Sequence, residues 1–96
     1  EVGSISIEMD GDLDEKKLNA WISKLLREKG VDIFRMKGFL SIAGVPDRFV
    51  FRGVHMLFSG KPDRPWGKLP RRNQLVFIGR NLDEDDMRKS FEDCLL

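Results

Sequence analysis

The chain has 96 residues, 41% of them hydrophobic and 34% charged, with a formal net charge of +1. That length can close one core without disulfides or metals, and the composition excludes global disorder. No apolar run approaches the roughly 18 residues of a membrane span, and no basic stretch followed by an apolar one marks a signal peptide. The opening, "EVGSISIEM", has no initiator Met and reads as a piece of a longer protein or a mature product.

From the N-terminus, "SISIEM" (4–9) alternates, with Ile5, Ile7 and Met9 facing one way and Ser4, Ser6 and Glu8 the other, the pattern of a half-buried strand. "DGD" (10–12) breaks it. In "LDEKKLNAWISKLLREKG" (13–30) the residues Leu18, Trp21, Ile22, Leu25 and Leu26 form one helical stripe. Asp14 is the predicted N-cap, Leu13 and Leu18 a hydrophobic staple, and Gly30 the residue just past the C-terminus. "DIFRMKGFLSIAG" (32–44) predicts a second strand with Phe34, Met36, Leu40 and Ile42 on one face and Arg35, Lys37 and Ser41 on the other. Gly38 predicts a bulge or a close backbone approach. "AGVPD" (43–47) turns the chain into "RFVFRGVHMLF" (48–58), a third strand that is apolar on both faces.

Three prolines and two glycines in "SGKPDRPWGKLPRRN" (59–73) predict a long loop. "QLVFIGR" (74–80) is the fourth strand. A second helix follows, with Asp83 as N-cap and Met87, Phe91, Cys94 and Leu95 on its apolar stripe. The order β-α-β-β-β-α predicts an α+β two-layer sandwich: a four-stranded, mostly antiparallel sheet with both helices on one face, related to the ferredoxin-like arrangement but without its usual last strand.

Chemistry-bearing patterns are few. There is no P-loop, no G-x-G-x-x-G, no G-x-S-x-G and no H-E-x-x-H. Four acids, Asp83 to Asp86, occupy the start of the second helix, where they complement its dipole and leave no open phosphate cradle. A hard cation there would need oxygens converging from a loop. The single cysteine, Cys94, lies on an apolar stripe, as buried cysteines do, and weakly suggests a reducing compartment. The single histidine, His55, reads first as a core residue. The alternative is a partner contact or one ligand of a metal shared with another domain.

The charge is unevenly spread. Residues 1–30 carry net −2 and residues 81–96 net −4, whereas residues 31–80 hold three acids and ten bases, net +7. The middle of the chain is therefore either an anion-facing surface or a solvated sheet face balanced by acidic helices. Its interaction candidates are Arg35, Lys37, Arg52 and His55 from the strands and Trp66, Arg71 and Arg72 from the loop. Arg64, Trp66, Lys68, Arg71 and Arg72 place an exposed-looking tryptophan among bases, as single-strand nucleic-acid binders do. Yet one aromatic and a pI of about 8.2 favour protein contact over nucleic acid.

The stretches "LDEKKLNAWISKLL" (13–26), "DIFRMKG" (32–38), "FRGVHMLF" (51–58), "RPW" (64–66) and "RRNQLVFIGRNLDEDDMRKSFEDC" (71–94) resemble, in order and over nearly the whole chain, the CobW C-terminal domain. Many relatives carry Gln where this chain has Arg52. The resemblance implies that residues 1–96 are one such domain of a parent whose N-terminal P-loop GTPase domain, of the G3E group, lies outside this sequence. Such parents bind GTP and Mg and are implicated in delivering zinc or cobalt to client proteins, some of them in cobalamin synthesis. Their Walker A loop and Cys-x-Cys-Cys element have no counterpart here. The implied role is an accessory domain without catalytic, cofactor or metal residues of its own, docking on the parent's GTPase domain or on a metalloprotein client, with no membrane partner. The setting implied is intracellular, cytoplasmic or organellar. Two rival classes are a nucleic-acid-binding module working through the basic loop and a stand-alone metal-binding module.

Overall fold

The computed structural model describes residues 1–54 and 57–96. Its elements run β1 (Val2–Asp10), α1 (Glu15–Lys29), a 3-10 turn (Gly30–Asp32), β2 (Ile33–Leu40), β3 (Asp47–Val54), β4 (Leu57–Pro65), β5 (Arg72–Arg80) and α2 (Glu84–Glu92). All five strands belong to one antiparallel sheet in the order β1-β5-β2-β3-β4. The α+β class and the two helices agree with the expectation. The strand count does not.

The extra strand comes out of the predicted loop. β3 ends at Val54, and β4 begins at Leu57 and pairs back along β3, from Val54 opposite Leu57 to Asp47 opposite Pro65. The predicted third strand (48–58) thus takes in all but the first residue of β3 and the first two residues of β4, with 55 and 56 outside the described residues, and the first part of the predicted loop (59–73) is the rest of β4, up to Pro65. Proline is excluded from central strands because it donates no ladder hydrogen bond, but an edge strand has one side free. Pro62 and Pro65 sit on such an edge, and they mark it against pairing with another chain.

Both helices cover the same face of the sheet. Ile5 and Ile7 of β1, Met36 and Leu40 of β2, and Leu75 and Phe77 of β5 point at Leu18 and Leu25 of α1 and at Met87 and Phe91 of α2, and together they make the core. Trp21 ties the helices to each other and to the sheet. Its ring meets Phe91 and Phe77 edge-on, at 5.1 and 6.4 Å, and its Nε1 donates to Ser90 Oγ at 2.8 Å. Each helix is started as predicted. Asp14 accepts from the Lys17 N–H at 3.0 Å, and Asp83 from the Asp86 N–H at 3.1 Å.

Three local expectations are corrected, at Gly30, Phe34 and Ser41, while the close backbone approach expected at Gly38 is found. Gly30 is right-handed (φ −54°) and leads into the 3-10 turn instead of stopping the helix in a left-handed cap. At Gly38 the neighbouring strand comes so close that a Cβ would run into the Gln74 carbonyl, whereas the break in β2–β5 register falls between Ile33 and Arg35. That break turns Phe34 to the far face and puts Ile33 in the core, so the predicted stripe through Phe34 is off by one residue. Ser41, expected on the outer face, is fully buried at the end of β2.

A polar knot locks that end of the sheet. Asn73 accepts from the Ser41 N–H at 2.7 Å and donates to the Met9 and Gly11 carbonyls. Ser41 Oγ donates to Asp12 at 2.7 Å and accepts from Arg71, whose guanidinium also reaches the Ile42 and Val45 carbonyls. Four side chains thus tie the segment after β2 to the paired ends of β1 and β5.

Candidate functional site

Among the described residues no helix covers the second face of the sheet. Strand side chains alternate between faces, so every second residue of each strand lies on it. The register places Lys37 directly opposite Arg52 and Val76, Arg35 opposite Val54 and Ile78, and Val50 opposite Phe39 and Lys61. A groove of about 390 Å³ runs between these side chains, lined by Lys37, Phe39, Arg48, Val50, Arg52, Asp63, Gln74 and Val76. The face is therefore a row of cations with apolar residues set between them. Ile78 is 38% exposed, and Val54 is 50% exposed.

The cations fall into two groups. Around the rim each arginine has a carboxylate. Arg72 reaches Glu8 at 3.2 Å, Arg80 reaches Asp32 at 2.9 Å, and Arg48 donates from Nε to Asp63 at 3.2 Å. Two of these guanidinium groups also cover aromatic rings, Arg48 over Phe39 at 5.1 Å and Arg80 over Phe34 at 5.7 Å. In the middle Arg35, Lys37, Arg52 and Lys61 are exposed, and none makes an ion pair among the described residues.

The sequence candidates divide accordingly. Arg35, Lys37 and Arg52 come together on the open face. Arg72 lies on the same face but is paired with Glu8. Arg71 belongs to the polar knot and is turned inward. Trp66, expected as an exposed anchor in a basic loop, is 5% exposed. Its N–H donates to the Pro46 carbonyl and its ring packs edge-on against Phe39 at 6.2 Å, while its Nε1 finds no acceptor among the described residues. His55 lies outside the described residues. Reading β4 as a loop hid Lys61 and the Arg48–Asp63 pair. The alternation Leu57, Ser59, Lys61, Asp63 against Phe58, Gly60, Pro62 is the signal that could have revealed them.

Among the described residues no three His, Cys, Asp or Glu side chains converge as ligands. The acids of α2 stand on its first turn, with Asp83 already engaged as the cap. Cys94 is buried, its Sγ directed at the Lys17 and Ser90 carbonyls. Burial pushes its thiol pKa up, with the charge of Asp93 adding to the rise and Lys17 opposing it. No helix among the described residues is long and apolar enough to cross a membrane.

An antiparallel sheet with two helices on one face and an open cationic groove on the other defines an α+β two-layer domain. Residues 2–95 match the model of the cobalamin synthesis protein cobW C-terminal domain, and the chain belongs to that family. It is 37% identical over 91 residues to the zinc chaperone YjiA of Escherichia coli strain K12, covering 95% of this chain and 29% of that protein. It is 43% identical over 54 residues to the zinc chaperone CobW of Pseudomonas aeruginosa, covering 55% and 14%. Crystal structures of zinc-bound YjiA GTPase from E. coli and of a zinc-bound triple mutant of YjiA GTPase each superpose with a TM-score of 0.94 at 36% identity, over 99% of this chain and 30% of theirs. The chain thus spans less than a third of the length of the relatives it matches.

Proposed function

We propose that residues 1–96 form one accessory domain of a larger, intracellular GTP-dependent metal chaperone, and that its open sheet face docks on the parent's GTPase domain. The observation that carries this reading is the face itself: cations and the partly exposed Val50 and Val76 share a groove that no other element among the described residues covers. The relatives bearing this domain are zinc chaperones and a GTPase seen with zinc, which favours zinc over cobalt as the parent's cargo. Nucleotide and metal chemistry belong in this reading to the GTPase domain. The role here is to bias its opening and closing through contact.

The test is an NMR titration of labelled 1–96 with the parent's separate GTPase domain, loaded with GDP or with a GTP analogue, and with zinc alone as control. Nucleotide-dependent shifts at Lys37, Val50, Arg52 and Val76 are the expected result. Shifts confined to the helices would reject docking through the sheet. An absence of shifts with either nucleotide would make an external client the partner instead. A nucleic-acid role gains nothing from this face, because Phe34, Phe39 and Trp66 are each covered or buried and leave no ring free to stack on a base.

A further inference from the structure

The open face contains an arrangement that folding alone does not call for. Lys37 and Arg52 are direct cross-strand partners, and like charges in that position repel. Arg35 stands two residues from Lys37 on β2, and Lys61 two residues from Ser59, the partner of Arg52 on β4. Four cations thus cluster where none has a carboxylate among the described residues, although the rim arginines of the same sheet all do.

We propose that Lys37 and Arg52, flanked by Arg35 and Lys61, recognise a carboxylate-rich segment of a partner protein laid across β2, β3 and β4. This deepens the docking reading and rests on it. Charge complementarity asks for an anion, and two observations choose which kind. Phosphate sites are commonly built from free backbone N–H groups, but β2 and β3 are interior strands paired on both sides. Val50 and Val76 share the groove with the cations, so the occupant brings apolar side chains as well as acids. An acidic, amphipathic protein segment meets both demands, and tri- or polyphosphate meets only one.

The experiment uses labelled 1–96 and three probes at low and high salt: a short soluble peptide rich in glutamate and leucine, oligothymidylate, and inorganic tripolyphosphate. The peptide is expected to bind most tightly, to shift Lys37, Val50, Arg52 and Val76, and to weaken about tenfold in the K37Q/R52Q double variant, while R72Q leaves binding nearly unchanged. Removing the opposed charges should also raise the melting temperature of the free chain, by up to about 4 °C. A merely structural pair would lower it. Tighter binding of either phosphate probe, no binding of the peptide, or peptide binding indifferent to K37Q/R52Q would each overturn the proposal. If the peptide maps here but the GTPase domain does not, the recognition site stands and docking on that domain falls. If the GTPase domain docks on this face with an affinity untouched by salt and by K37Q/R52Q, docking stands and the carboxylate site falls.

Discussion

On β5, Leu75 and Phe77 lie under the helices at 2% and 0% exposure, while Val76 and Ile78, one residue away each, face outward beside Lys37 and Arg35. The same alternation that builds the core on one side builds a mixed cationic and apolar groove on the other. On the covered face every choice lowers the free energy of folding: rings interlock, caps are satisfied, and Trp21 finds Ser90. On the open face the opposed pair of Lys37 and Arg52 works against folding, and the exposed ion pairs at its rim contribute at most about 1 kcal/mol each. The difference separates what holds this domain together from what the proposed docking would use.

The strongest way to break that contrast is to truncate both sides of one strand. Phe77→Ala should cost about 3–5 kcal/mol in urea unfolding, and Val76→Ala under about 1 kcal/mol. Equal losses would mean that the groove belongs to the core. Trp66 sharpens the boundary, since it is buried on the open side. Trp66→Ala should cost about 3 kcal/mol, at the low end for a large ring near an edge. Trp66→Phe should cost about 1 kcal/mol or less, because it also removes a buried N–H without an acceptor. Next comes the polar knot. Asn73→Ala strands the Ser41 N–H and two carbonyls, for an expected loss of about 1–3 kcal/mol with the groove's ligand binding unchanged.

Much of the fold was legible because local signals and burial agree. The alternation in 4–9, the stripe from Leu18 to Leu26 and the two aspartate caps all name their elements directly. Where the reading failed, a local cue was true but its context was not visible. Prolines at 62 and 65 do break a central strand, but nothing in 59–73 says that this strand lies at an edge. The register shift between Ile33 and Arg35 moves Phe34 across the sheet, and a single residue of slip cannot be seen in periodicity. The candidate site was half legible for the same reason. Net charge over 31–80 pointed to the strands that bear the open face, and Arg35 and Lys37 share a face by simple alternation, while the β2–β3 register brings Arg52 to them. Which arginines already have partners depends on contacts over long sequence separations, Arg72 with Glu8 and Arg71 with Ser41. The exposure guessed for Trp66 failed because a basic neighbourhood says nothing about Phe39 beneath it.

The smallest expected effect lies on the covered face and reports its dryness. Burial raises the Cys94 thiol pKa in the folded chain, so the folded state holds this proton more tightly than the unfolded state does. Stability from this source is full below the ordinary thiol value of about 8.5. As pH climbs past that value the unfolded chain ionises first, and stability falls until the folded thiol also ionises. The readout is the difference in urea midpoint between the chain and Cys94→Ala across that alkaline range, which cancels the titration of lysines common to both. The gap between the two should narrow as pH rises, and native Cys94 should alkylate far more slowly than the same thiol in urea. A constant gap with rapid native alkylation would place Cys94 at the surface, and the helix-covered face would then be open to solvent at its C-terminal end.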